Sequence, residues 1–122
     1  MRKQFANVAP CATQNPGDLM AYQRGNVYFV KIGADEKPYL VVSNNRRNLL
    51  LGSALGVRIT TTRKPVMASV IALPPDETVV GSVLCDDIET LYDSDPSRHA
   101  GALTPATMRA VGEGLKAALS LN

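Results

Sequence analysis

The chain is short of the residues that most often announce a function. It has one histidine, His99, and two cysteines, Cys11 and Cys85. With no CxxC and no Cys/His cluster there is no ligand set for zinc, so neither a metal nor a cofactor is expected. Two cysteines are too few for a disulfide framework, and free thiols point to a reducing cytoplasm. No apolar run approaches the roughly 20 residues that span a bilayer. The basic start "MRK" is followed by no continuous apolar stretch, so a signal peptide is not expected either. P-loop, GxGxxG, GxSxG and HExxH motifs are all missing. A histidine-based triad would have to use His99, in an irregular acid-flanked loop where a lone histidine is more often solvated than catalytic.

What is present fits one domain of 122 residues. A chain of this size buries roughly two thirds of its unfolded surface, enough to fold without disulfides or metal. The charge is distributed unevenly. Residues 1–70 hold ten Lys/Arg against three Asp/Glu, a balance of +7, and residues 71–122 hold three against eight, −5. Such asymmetry suits an anionic partner on one surface, or it cancels where the two halves intermix in the fold.

Residues 1–20 carry Pro10, Asn15, Pro16 and Gly17 without periodicity and read as a flexible lead; Met20 is a second candidate for the initiator. Residues 21–122 read as the folded domain. From Asn26 the pattern is β: "NVYFVKI", "YLVVS", "GVRITTT", "VMASVIAL" and "SVLCDDI" are five strands. "GADEKP", "NNRRNLLLGSAL", "RKP" and "PPDETVVG" connect them, and "YDSDPSRHAG" is irregular with room for a short strand at its end. One helix follows, with Thr104 as N-cap, Pro105 at its first position, and Met108, Val111, Leu115 and Leu119 on one apolar face. Gly112 and Gly114 weaken it and point to close packing on the sheet. The expected fold is mainly β with α: a small SH3-like antiparallel β-barrel closed by a C-terminal helix.

In "VRITTT", alternation sends Val57 and Ile59 to the core and Arg58 and Thr60 together to the other face. Lys37, at the entrance of the second strand, and Tyr39 leave one side as well. With the second and third strands adjacent, Lys37, Tyr39, Arg58 and Thr60 form one patch. Cations neutralise phosphate, an aromatic ring stacks an unpaired base, and a hydroxyl donates to a phosphate oxygen. Arg46, Arg47, Arg63 and Lys64, in flanking loops, extend the basic track. Asp86 and Asp87, adjacent in "LCDDIET", face opposite ways in a regular strand, one toward solvent and one toward a site, where Asp86 would orient a cation or accept a proton. Each of these features taken singly is also compatible with an ordinary solvated strand or loop.

In order along the chain, "RGNVYFV", "KPYLVVSNN", "RITTT", "SVLCDDIETL" and "GALTPATMRAVGEGLKAALSL" together resemble the MazF/PemK family of toxin endoribonucleases from toxin–antitoxin pairs. The resemblance runs from about Tyr22 to the C-terminus. It implies a homodimer of small β-barrels, of MazF/CcdB-like architecture, that cuts single-stranded RNA at short motifs. It implies attack by the ribose 2′-hydroxyl, with no metal, leaving a 2′,3′-cyclic phosphate and a 5′-hydroxyl. Its catalytic arginine falls on Lys37, its catalytic threonine on Thr60, and the acid of one branch on Asp86. Lys37 keeps the charge but not the bidentate fork of arginine, and Arg58 can supply a guanidinium from the face it shares with Thr60. The arginine usual at position 89 is Glu89, and the one before "CD" is Leu84. The implied partners are single-stranded RNA and a cognate antitoxin with an acidic tail, with no membrane. A gyrase-poisoning toxin of the CcdB type and an inactive RNA-binding homologue are the alternatives.

Overall fold

The computed structural model describes residues 22–121, so the lead and both candidate start sites lie outside the described residues. Six strands form one antiparallel sheet: β1 (Asn26–Ile32), β2 (Asp35–Val41), β3 (Ser53–Thr60), β4 (Val70–Ala72), β5 (Ser82–Tyr92) and β6 (Ser97–Ala102). Their order is β4-β5-β3-β2-β1-β6. Helix α1 (Asn45–Leu51) lies between β2 and β3, and α2 (Pro105–Leu119) ends the domain.

Alternation along the strands builds a core on each side of the sheet. Val27, Leu40, Val57, Ile59, Val83 and Cys85 pack with Met108 and Val111 of α2 on one side. Tyr22, Tyr28, Val30, Tyr39, Val41, Ala54 and Leu91 form the other. The expected mainly-β fold with its closing helix is therefore what forms. Among the described residues no ladder joins the two edges β4 and β6. The 73–81 connection spans them instead, with Thr78 Oγ1 donating to the Ala102 carbonyl at 3.3 Å.

Several boundaries differ from the expectation, each for a local reason. β2 starts at Asp35, paired with Ile32 across a two-residue turn whose Gly33 has φ 66. Glycine at that first position allows the tight hairpin, so the expected "GADEKP" loop shrinks and Lys37 and Pro38 sit within the strand. The β2–β3 ladder begins only at Tyr39, which leaves the segment holding Pro38 an edge on that side. "NNRRNLLL" is not a loop. Asn44 caps α1 by accepting from the Arg47 amide, and Gly52 ends it at φ 67. β4 keeps only three of the eight residues expected of it.

α2 begins as read, with Thr104 accepting from the Thr107 amide and Pro105 in the first turn. Its apolar face holds through Met108, Val111 and Leu115, but Leu119 is exposed, because the helix runs past the core. Gly114 is the close-packing glycine: a Cβ there would lie 2.6 Å from Cys85 Sγ and 3.1 Å from Ile71 Cγ1. Gly112 meets nothing within 4 Å.

A contact that no motif foretold holds the start of α2. Glu77 accepts from the Thr104 hydroxyl at 2.7 Å, from the Thr104 amide at 3.1 Å, and from the Thr107 hydroxyl. The Thr107 hydrogen bond first, then those of Thr104, holds the Glu77 pKa below its ordinary value. A depressed carboxylate stabilises the fold above its unfolded pKa, and that contribution is lost as pH falls through the folded value. Glu77→Gln is thus expected to lower the melting temperature at pH 7 and to flatten the loss of stability below about pH 4. Thermal melts at pH 7 and pH 3 read both effects.

Candidate functional site

The site grows from the register of β2 and β3. Tyr39 pairs with Arg58, Leu40 with Val57 and Val41 with Gly56. Paired residues leave the same face, so Lys37 and Tyr39 share a side with Arg58 and Thr60. The β2–β3 ladder ends at the Tyr39–Arg58 pair, so no pairing joins Lys37 to Thr60, and Lys37 is half-buried opposite Val30 of β1. Val57 and Ile59 are fully buried on the opposite side, as the alternation requires.

Arg58 and Thr60 line a hollow of about 520 Å³, walled also by Phe29, Pro38, Thr78 and Val79. Arg58 Nε is shielded from solvent and has no hydrogen-bond partner. An unmet buried donor on a guanidinium costs about 1–3 kcal/mol. Thr60 Oγ1 accepts from the Thr62 amide at 3.1 Å, which leaves its own proton free to be donated elsewhere. Thr61 and Thr62 add exposed hydroxyls to the rim.

The other candidates lie elsewhere. Tyr39 is 8% exposed, within the core cluster of Tyr28 and Leu91, so its ring presents no face to a base. Arg46 is exposed on α1. Arg47 donates from Nη1 to the Ser53 carbonyl at 2.6 Å and thereby ties α1 to β3. Arg63 and Lys64 are exposed in the segment between β3 and β4. Lys64 borders a second hollow with Pro65, Met67, Asp86 and Asp87.

Asp86 and Asp87 do not split between two faces. Opposite β5, Val57 pairs with Ile88 but Arg58 pairs with Leu84, so Cys85, Asp86 and Asp87 bulge out of the β3–β5 ladder. Both aspartates are exposed and border the same hollow. Cys85 stays buried, and burial first, then the Asp86 charge, pushes its thiol up to about 11, which makes it a poor nucleophile. His99 is occupied at the β6 edge, 2.8 Å from Asn26 Oδ1 and edge-on to Tyr28.

Residues 23–119 match the model of a family described as the PemK-like, MazF-like toxin of type II toxin-antitoxin systems. The chain belongs to this toxin family. It is 40% identical over 98 residues to endoribonuclease MazF1 of Mycobacterium bovis and to endoribonuclease MazF4 of Mycobacterium tuberculosis, covering 80% of this chain and 92% of each relative. A solved mycobacterial endoribonuclease in complex with its cognate antitoxin superposes with a TM-score of 0.77 at 40% identity, over 84% of this chain and 98% of that one. MazF bound to MazE from Deinococcus radiodurans shares the fold at a TM-score of 0.74 and 20% identity, over 84% of this chain and 98% of that one.

Within this PemK/MazF domain, Phe29, Thr78 and Val79 line the hollow with Arg58 and Thr60 although the sequence reading named none of them. They come from β1 and from the connection before β5, and no spacing in the chain relates them. Phe29 is half-buried in a strand whose Val27 and Val30 are fully buried, a difference that only the structure shows.

Proposed function

We propose that this chain is the toxin of a type II toxin–antitoxin pair and an endoribonuclease that cuts single-stranded RNA at short sequence motifs without a metal. The observation that carries the reading is the 40% identity over nearly the whole length of two endoribonucleases. The hollow of Arg58 and Thr60 supports it, because it offers what cleavage of a phosphodiester needs. The 2′-oxygen bonds to phosphorus as the P–O5′ bond breaks. One proton leaves the 2′-hydroxyl and one is taken up by the 5′-oxygen. Arg58 and Lys37 stabilise the extra negative charge that develops on the phosphoryl oxygens. Thr60 donates to one of those oxygens. Asp86 orients Lys64 in the neighbouring hollow, and Arg46, Arg63 and Lys64 hold flanking phosphates, which makes binding salt-dependent. Arg47 and Tyr39 support the site from within the fold. The antitoxin would lay an acidic, order-on-binding tail over the same basic surface, in the cytoplasm where its RNA competitor lies.

The test is incubation of the purified chain with single-stranded RNA in EDTA, followed by mapping of the ends. Fragments with 2′,3′-cyclic phosphate and 5′-hydroxyl termini are expected. RNA shifted in a gel but uncut would replace this reading with an inactive RNA-binding homologue. DNA breaks with intact mRNA after induced expression would replace it with gyrase poisoning.

We further propose that the functional unit is a homodimer that uses α1. Leu49, Leu50 and Leu51 are 54%, 69% and 59% exposed, three adjacent leucines on a seven-residue helix. An apolar patch of this kind marks an interaction surface. Leu50→Asp is expected to convert a dimer into a monomer in sedimentation equilibrium, while leaving the melting transition of the monomer cooperative.

A further inference from the structure

The acid-rich half of the chain, residues 71–122, has three basic residues, and two of them, Arg109 and Lys116, stand on one face of α2. With Arg24, Pro105, Met108 and Glu113 they line a hollow of about 430 Å³. It shares no lining residue with the hollow of Arg58 and Thr60. α2 covers the sheet face of Val57 and Ile59, the face opposite the one that Arg58 and Thr60 leave from. Arg24, in the turn before β1, is held in place. Its amide donates to Asn45 Oδ1 at 2.6 Å, and its Nε donates to the Val42 carbonyl at 3.2 Å. Among the described residues, neither Nη of Arg24 nor any side-chain donor of Arg109 has a partner. Glu113 is the one acid among the lining residues. It meets Lys116 at 3.3 Å with both side chains more than half exposed, a pair of little strength in water. Three cations against one acid leave this surface positive. The bond from Arg24 to Asn45 also places α1, with its exposed Arg46, next to Arg24.

We propose that this face of α2 is a second RNA-binding surface, which holds the sugar–phosphate backbone of single-stranded RNA outside the cut motif. The inference rests on the ribonuclease reading and extends it from the motif to the flanking strand. Guanidinium groups with unengaged nitrogens suit phosphate oxygens, and a fixed one loses little freedom on binding. No aromatic ring lines the hollow, so nothing in it stacks a base, and the contact is to backbone and indifferent to sequence. An acidic protein segment would meet the same charges, but a protein partner also needs an apolar seat. Met108 is only 8% exposed and offers little of one. Flanking RNA held here raises the effective concentration of the cut motif at the catalytic hollow.

The experiment compares the unaltered chain with the double variant Arg109→Ala, Lys116→Ala, at two exposed helix positions that alanine suits. The first arm measures binding of a long single-stranded 2′-O-methyl RNA, which has no 2′-hydroxyl to attack, across a range of salt. Each phosphate contact to a single strand contributes about 0.7 to the slope of log K against log salt. The double variant is expected to lose about 1.4 from that slope and about 25-fold in affinity at about 0.1 M salt. Glu113→Gln is expected to bind the same RNA more tightly. An unchanged slope and affinity in the double variant would overturn the proposal. The second arm compares kcat/KM on an oligoribonucleotide confined to a mapped cut motif with that on one carrying long flanks. The flanks are expected to lower KM for the unaltered chain and not for the double variant, with the short RNA cut equally well by both. Equal losses on the two RNAs would overturn the proposal by placing these cations in the cleavage site itself. A double variant that holds long RNA normally but loses an oligoglutamate probe would replace RNA here with an acidic protein partner. Absence of any cleavage by the unaltered chain would sink the ribonuclease reading, and the 2′-O-methyl RNA would still show whether this face holds RNA.

Discussion

Arg58→Met is expected to cut RNA 100- to 1000-fold more slowly than the unaltered chain while melting at the same temperature or slightly above it. Removal of one preorganised donor from a developing oxyanion carries a loss of about that size. The stability expectation has the opposite sign. Arg58 Nε is shielded from water without a hydrogen-bond partner, so the folded protein carries a desolvation cost that an apolar side chain of similar length relieves. Such a pairing of lost activity with retained or gained stability is the signature of a residue kept for chemistry rather than for folding. The measurements are kcat/KM on a mapped oligoribonucleotide and a thermal melt. If Arg58→Met cleaves within threefold of wild type, the guanidinium has no part in transition-state stabilisation and the charge must come from Lys37 alone. Lys37→Arg is the companion variant: restoring the bidentate fork at the edge of β2 should maintain or increase the rate.

Gly81→Ala is expected to cost about 3 kcal/mol of stability and most of the activity at once. Gly81 sits before β5 with φ 132, a conformation L side chains rarely adopt. A Cβ there would lie 2.5 Å from the Thr60 carbonyl oxygen, 3.1 Å from its carbonyl carbon and 3.3 Å from Ile59 Cγ2. The nearest obstacle is backbone, so no side-chain rotation relieves it, and the strain of the forbidden φ adds to the overpacking. Relief comes only by moving the end of β3, which carries Thr60. A melting temperature lowered by more than about 10 °C is expected for a domain of this size, together with reduced kcat in the protein that remains folded. Gly112→Ala is the control. Its added methyl meets nothing within 4 Å, so it should stabilise α2 by up to about 1 kcal/mol and leave cleavage unchanged. Loss of activity in Gly112→Ala, or none in Gly81→Ala, would show that the coupling between the β5 entrance and Thr60 is absent.

Where a reading depended on the chain's own period, it held in β3 and in the first three turns of α2, and failed at the β5 bulge and at Leu119. Val57 and Ile59 lie in the core and Arg58 and Thr60 opposite them because a strand alternates by construction. Thr104 and Pro105 open α2 because capping is a matter of adjacent residues. The capping logic also applied to Asn44 and Gly52, which flank α1. The helix is only seven residues long, too short for its apolar residues to establish a period, and so the segment reads as a loop. Tyr39 shows the limit from the other side. Its alternation relative to Lys37 was sound, but both faces of this sheet are covered, so sharing a face with Arg58 put the ring into a second core rather than into solvent.

The sequence by itself determined the faces of β3, the closing helix and the family, all of which follow from local alternation, capping and motif order. Only the tertiary structure decided what surrounds Arg58 and Thr60. The β2–β3 ladder stops at Tyr39 and leaves Lys37 off it, the pairing of β1 with β6 sets Phe29 under Arg98, and the 73–81 connection brings Thr78 and Val79 to the wall of the hollow. A three-residue bulge in β5 likewise turns both aspartates into the neighbouring hollow with Lys64. The reason is that periodicity fixes the direction of a side chain relative to its own backbone. Which other side chain it meets is set by register and by the path of connections, and these are settled by packing across the whole sheet.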